Sequence, residues 1–197
     1  MLNFQRFLVS GLFLAAASLA QAQTATTWGL VPLMQSLAAV RSASATFTET
    51  KTMVLLKTPL QSAGTLRFVA PDYLRKTVLA PSPQDFVLQK SAVTMTAAGR
   101  TQHFDLGQAP PLTGLVEGVR ATLAGDLPTL QRAYMIELSG DANTWQLLLH
   151  PREATVRRFL SWLSIRGSGN RVTEIDTGGA QGDLGRMSVN ETIDHGP

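Results

Sequence analysis

The feature that most constrains this chain is an alternation of apolar and polar side chains that recurs in many short segments. Alternation at every second position is typical of β-strands with one buried face. In segment 63–69 Leu66 and Phe68 share one face, and in the next segment Leu74 and Val78 do. Proline- and glycine-containing turns separate such segments along most of the chain. The chain is therefore expected to fold mainly as β-sheet.

Two stretches depart from this alternation and carry apolar residues at helical spacing. The first runs from Leu30 to Val40, and the second runs from Leu112 to Gly125, followed by a short helix from Asp126 to about Arg132. The expected layout is one helix, about five strands, a helical insert and about five more strands. No strand–helix–strand alternation appears, so we expect one curved antiparallel sheet rather than a parallel doubly wound sheet. The helices would cover the open mouth of that sheet.

Composition excludes several functional classes. The 197-residue chain has no cysteine, which rules out disulfide scaffolds, thiolate metal sites and cysteine nucleophiles. Its 17 basic and 14 acidic residues give a net charge of only +3, too weak for a nucleic-acid-binding protein. Charged residues make up 16% of the chain, against a usual share of about 25%.

The N-terminus has the pattern of a secretory signal peptide. Arg6 is followed by an uncharged apolar run over residues 8–20 and by Ala20-Gln21-Ala22, a small-x-small cleavage site. Because the run is shorter than the roughly 20 residues of a membrane-spanning helix, a membrane anchor is the weaker alternative. We expect residues 1–22 to be a cleaved signal peptide and residues 23–197 to form a single exported domain.

No arrangement of residues in the sequence requires catalysis. His103, His150 and His195 are far apart and share no metal-ligand spacing, and no nucleophile or phosphate-binding motif is present. We therefore expect no enzymatic activity, no metal and no cofactor. The functional signal is instead the surplus of apolar strand faces, which either fill an ordinary core or line a cavity.

Three segments resemble one known family. The first is the helix running into Ala-Ser-Ala-Thr-Phe-Thr-Glu at 43–49. The second is Gly-Thr-Leu-Arg-Phe-Val-Ala-Pro-Asp-Tyr-Leu-Arg-Lys at 64–76, and the third is Trp-Gln-Leu-Leu-Leu-His-Pro-Arg at 145–152. In their order and spacing over residues 28–192 they resemble the LolA-like family of bacterial periplasmic outer-membrane lipoprotein carriers.

The resemblance implies an unclosed antiparallel β-barrel of about eleven strands with a helical lid over an apolar cavity. It implies a monomeric periplasmic shuttle that holds acyl chains of a lipoprotein or lipid-like cargo between an inner-membrane donor complex and an outer-membrane acceptor. Without a cysteine to acylate, the chain is expected to differ from the lipid-anchored receptors of the same superfamily.

The chain also departs from the family pattern at two positions. Ala70 stands where family members carry an arginine before the turn proline, and Gln89-Lys90-Ser91 replaces an Asp-Gly hairpin. These departures indicate a divergent paralogue with a cargo of its own.

Strand parity and the resemblance together select the candidate site residues. We expect the lid to be open when cargo is bound and closed when it is not. The expected cavity residues are Phe47, Leu66, Phe68, Leu74, Tyr134, Ile136, Trp145, Leu147 and Leu163. The expected lid residues are Leu33, Met34, Leu37, Leu115, Val116 and Val119.

Two alternatives use the same fold. One is a periplasmic regulatory domain that senses a lipid or a protein without transporting it, which predicts a stable protein partner. The other is a periplasmic lipid hydrolase or isomerase, which requires a polar catalytic group inside the cavity.

Overall fold

The structure is a computed structural model that describes residues 28–192. The expected signal peptide, residues 1–22, and His195 lie outside the described residues. Within the described range, no helix combines the length and apolar character needed to cross a membrane.

Short β-strands dominate the described chain, as the alternation predicts. The elements in chain order are α1 (Leu30–Ala38), β1 (Ser42–Thr52), β2 (Leu60–Val69), β3 (Tyr73–Ala80), β4 (Gln84–Gln89), β5 (Ala92–Ala97), β6 (Arg100–Asp105), a 3-10 turn (Leu106–Gln108), α2 (Pro110–Leu123), α3 (Leu127–Ala133), β7 (Tyr134–Gly140), β8 (Trp145–Pro151), α4 (Ala154–Arg157), β9 (Leu160–Ser168), β10 (Arg171–Gly179) and β11 (Leu184–Thr192).

The strands form one antiparallel sheet in the order β6-β5-β4-β3-β2-β1-β11-β10-β9-β8-β7. The first and last strands pair in its middle, with Phe47 opposite Val189. The sheet does not close, because β6 and β7 are its two edges. The predicted fold class, a mainly β protein with an eleven-stranded unclosed barrel and helices, is therefore confirmed.

The position of the helices follows from this topology. The chain leaves the sheet at edge strand β6 and re-enters it at edge strand β7, so α2 and α3 bridge the two edges. Gly125 adopts a left-handed φ of 65° between the two helices. The Asp126 carboxylate then caps α3 by accepting a hydrogen bond from the backbone N–H of Thr129 at 3.1 Å.

The apolar core divides into two parts. The larger part lies where α1, α2 and α3 pack on strands β7 to β10, and Leu33, Trp145, Leu147 and Leu163 are each at most 1% exposed there. The smaller part is centred on Leu88, Val93 and Leu106, beside strands β4 to β6. Direct helix packing is therefore concentrated on one half of the sheet.

Candidate functional site

A cavity of about 660 Å³ lies between the concave face of the sheet and the helices. That volume is in the range of sites that bind drug-sized or cofactor-sized ligands. Most of its floor comes from strands β1 to β4 and β11, whose inward positions alternate along each strand. Representative floor residues are Ala45, Leu66, Phe68, Leu74, Phe86 and Met187.

The roof of the cavity is one face of α2 together with the end of α1. Residues three and four apart lie on the same side of a helix, so the apolar positions of α2 form a continuous strip. The residues of this roof that line the cavity are Leu37, Leu112, Leu115, Val116, Val119 and Leu123.

The opposite face of α2 packs closely against the larger part of the apolar core. A Cβ atom added at Gly118 would lie 2.7 Å from Leu163 Cδ2, and one added at Gly114 would clash with Val156. The Tyr134 hydroxyl, on β7, donates a hydrogen bond to the carbonyl oxygen of Gly114. The absence of side chains at these glycines therefore allows α2 to lie directly on β7 and β9 while its other face covers the cavity.

The structure places the nine expected cavity residues in two groups. Leu66, Phe68 and Leu74 line the cavity. The others do not line it. Phe47 is buried beneath the side chain of Lys76, and Tyr134, Ile136, Trp145, Leu147 and Leu163 pack within the larger core or against it. These five side chains of β7 to β9 do point inward, as parity predicts. They do not line the cavity because the helices already occupy the space in front of them.

The six expected lid residues also separate. Leu37, Leu115, Val116 and Val119 line the cavity. Leu33 and Met34 do not, because they are 0% and 2% exposed in the core beneath α1.

A polar group that sequence reasoning did not select lies among the cavity residues. The Lys76 ammonium is 2.6 Å from Glu49 Oε2 and 4.7 Å from the centre of the Phe47 ring. Lys51 Nζ lies 3.5 Å from Glu49 Oε1, and the Ser62 hydroxyl donates to Glu49 Oε2 at 3.3 Å. The available signal was parity, since Lys76 lies between Leu74 and Val78 on the face that the alternation assigns to the interior.

Burial and the neighbouring charges have opposite effects on the pKa values of Glu49 and Lys76. Burial opposes ionisation of Glu49, but the neighbouring lysines and the hydrogen bonds outweigh it and hold the pKa of Glu49 below its usual value. Burial lowers the pKa of Lys76, while the Glu49 carboxylate works in the opposite direction. We therefore treat Glu49 and Lys76 as a charged pair at neutral pH.

Metal-ligand geometry is not found within residues 28–192, where no three His, Asp or Glu side chains cluster. The His103 ring accepts or donates a hydrogen bond with the Thr94 hydroxyl at 3.0 Å on the exposed face of β6, away from the cavity. The ring of His150 lies 3.3 Å from the carbonyl oxygen of Ser161.

An unclosed antiparallel barrel with a helix-covered apolar cavity is the architecture of the lipoprotein-carrier class. The chain belongs to the family described as outer membrane lipoprotein carrier protein LolA-like, which it matches over residues 20–193. A comparison with curated protein sequences gives no match.

Solved structures are similar to this chain at low sequence identity. A DUF1329 family protein from Desulfovibrio piger is 10% identical with a TM-score of 0.51, over 85% of this chain and 92% of that one. A LolA superfamily protein from Nitrosomonas europaea is 9% identical with a TM-score of 0.46, over 84% and 93%. A putative outer membrane lipoprotein-sorting protein domain from Vibrio parahaemolyticus is 9% identical with a TM-score of 0.45, over 85% and 93%.

Proposed function

We propose that this protein is a non-enzymatic periplasmic carrier that holds the acyl chains of a lipoprotein or other lipid-like cargo in the cavity. It acts as a monomer and moves that cargo from an inner-membrane donor to an outer-membrane acceptor. Residues 1–22 are removed on export, and residues 23–197 form the carrier domain. The cargo differs from that of other family members, as the substitutions at Ala70 and at 89–91 suggest.

One observation carries this proposal: the 660 Å³ cavity is lined mainly by aliphatic and aromatic side chains. Removing an acyl chain from water stabilises the complex by about 0.8 kcal/mol per buried CH₂ group. A chain of ordinary fatty-acid length would therefore gain enough to bind, even after the cost of ordering it.

The rim of the cavity supports exchange of cargo at a membrane. Pro59 and Leu60 line the cavity, and the preceding connection between β1 and β2 carries Leu55, which is 91% exposed. The backbone N–H of Val54 is fixed by the Asp183 carboxylate at 2.9 Å. Apolar side chains held outward in this way favour contact with a lipid or protein surface.

Release requires two states with different affinities for the cargo. In the state without cargo, α2 lies closed over the floor. Cargo that occupies the cavity displaces the strip of Leu115, Val116 and Val119 from the floor. Contact with an acceptor then favours the closed state.

Native mass spectrometry of the protein purified from the periplasm tests the proposal. We expect a co-purified acyl species, and we expect it to move to acceptor vesicles when the loaded protein is mixed with them. An empty protein in a stable complex with another protein would contradict the carrier function. That result would favour the lipid- or protein-sensing alternative.

A further inference from the structure

The charged group of Glu49, Lys76 and Lys51 lies on the cavity floor, where an apolar part of the lining meets a more polar and exposed part. Lys76 pairs in the sheet with Leu66 and Phe86. On one side of it the lining is apolar: Leu74 and Phe86 of the sheet and Leu112 and Val116 of α2 all pack against the smaller core of Leu88, Val93 and Leu106. On the other side the floor continues through Ser62 to Lys51 and Leu60, whose side chains are exposed.

The cavity therefore has an apolar end and a charged end, which match the two parts of an amphiphile. An apolar chain would lie under α2 beside Leu74 and Phe86. Its headgroup would then lie over Lys76 and Lys51, near the open end. Burial of charges inside an apolar cavity is costly, and a purely aliphatic cargo gains nothing from them.

The balance of charge selects the sign of the headgroup. Around Glu49 there are two ammonium groups, of Lys76 and Lys51, and one carboxylate, so the cluster has one surplus positive charge. The other charged lining residues include Asp85, which is paired with Arg75 at 2.9 Å, and Glu191, which is 3.8 Å from Arg171. Over the whole lining, four cations face three carboxylates.

We propose that the cavity is selective for amphiphiles with an anionic headgroup, a carboxylate or a phosphate, which Lys76 and Lys51 bind while the acyl chain lies under α2. This inference rests on the proposed function and names the class of cargo. Glu49 orients the two ammonium groups in the empty protein and partly neutralises them, which keeps the site from binding small anions tightly. Charge-assisted hydrogen bonds from lysine are the expected contacts.

Titration calorimetry with ligands of equal chain length tests the selectivity. The probes are dodecanoate, dodecyl phosphate, dodecyltrimethylammonium and inorganic phosphate. We expect the two anionic amphiphiles to bind about tenfold more tightly than the cationic one, since one charge-assisted hydrogen bond is worth about that factor. Inorganic phosphate should bind far more weakly than dodecyl phosphate, and equal binding of the two would contradict a lipid headgroup as the source of the anion.

Two substitutions at the pair separate recognition from a purely structural role. Lys76→Met removes a cation and should abolish the preference for anionic amphiphiles. Glu49→Gln removes the competing carboxylate and should increase that preference severalfold. Lys76→Arg should retain it, and Lys90→Met, an exposed lysine in the β4–β5 turn, is the matched control and should leave it unchanged.

The outcomes are distinguishable. If all dodecyl ligands bind equally, the headgroup inference is overturned while the carrier function stands. If none binds, the proposed function fails as well. If Lys76→Met and Glu49→Gln change the preference in the same direction, the pair serves only to hold the strands together and the inference is overturned.

Discussion

The hydroxyl of Tyr134, at the start of β7, donates a buried hydrogen bond to the carbonyl oxygen of Gly114 in α2. This bond joins an edge strand of the sheet to the helix that covers the cavity. Tyr134 is 2% exposed, and burial raises the pKa of its hydroxyl, so the group remains a donor at every physiological pH. This bond therefore stabilises the closed position of α2, which the opening of the cavity would have to disrupt.

Removing this hydroxyl should loosen the roof without emptying the core. We expect Tyr134→Phe to lower the free energy of unfolding by about 1 kcal/mol, the usual net value of one buried hydrogen bond. Urea denaturation measures the change. Tyr73→Phe, at the half-exposed start of β3, is the control and should shift stability by less than about 0.5 kcal/mol. Equal effects of the two substitutions would argue against a special role for the Tyr134 hydroxyl.

Stability should also depend on the close contact between Gly118 and the sheet. Gly118→Ala places a methyl group against Leu163 and the Tyr134 hydroxyl. Although alanine favours helix by about 1 kcal/mol, overpacking should dominate and lower stability by about 1–3 kcal/mol.

The matched control for this prediction is Gly29→Ala. A Cβ atom there would meet nothing closer than Pro32 Cδ at 4.0 Å, so the only expected cost is that of replacing an N-cap glycine of α1 by alanine, at most about 1 kcal/mol. A Gly118→Ala protein as stable as the wild type would show that α2 is not tightly packed against Leu163 and Tyr134.

A charge on the cavity floor should prevent binding of apolar chains. Leu66→Glu puts a carboxylate directly opposite Lys76 on the cavity floor, where it would repel the headgroup of a fatty acid and leave a charge beside the acyl chain. We expect at least about a tenfold loss in affinity for a fluorescent fatty acid, measured by titration, since burying one charge costs more than 1.4 kcal/mol. Leu79→Glu, on the exposed face of neighbouring β3, should bind normally. Retained binding by Leu66→Glu would place the acyl chain elsewhere.

Alternation along single strands was sufficient to predict the sheet and its inward faces. Leu66, Phe68 and Leu74 were selected by parity, and all three face the cavity. Parity could not distinguish a cavity floor from a filled core. Tyr134 and Leu147 face inward as well, but α2 and α3 fill the space in front of them. Which strands the helices cover depends on long-range packing, which no local pattern records.

Parity could place Lys76 on the inward face of β3, but the sequence could not show that Glu49 is its partner. Glu49 and Lys76 lie on β1 and β3, with β2 between them, and 27 positions separate them in the chain. Only the ladder, which sets Glu49 opposite Ser62 and Lys76 opposite Leu66, brings them to the same side of the floor.

The pair should contribute to stability in a pH-dependent way. The pKa of Glu49 is lower in the folded protein than its ordinary value of 4.5. Its ionised form therefore stabilises the fold above that value, and this contribution is lost as the pH falls through the folded pKa. We expect Glu49→Gln to cost about 1–3 kcal/mol at pH 7, typical for a hydrogen bond to a charged group.

The difference between wild type and Glu49→Gln should then shrink as the pH is lowered from about 5 towards 3, because the wild-type carboxylate becomes neutral. Urea denaturation of both proteins at several pH values measures this. Glu153→Gln, at an exposed position before α4, is the matched control and should show no comparable change. A constant difference at all pH values would mean that the charge of Glu49 contributes nothing to stability.

Processing at the N-terminus can be tested independently of cargo. If Ala20-Gln21-Ala22 is a signal-peptidase site, the exported protein should begin at Gln23, as shown by N-terminal sequencing and intact mass. Ala22→Tyr should block cleavage, because the peptidase accepts only small side chains at that position, whereas Gln21→Ala should be processed normally. A protein that keeps Met1 and stays in the membrane fraction would instead support the membrane-anchor alternative. The carrier would then be confined to one membrane, and transfer between two membranes would be excluded.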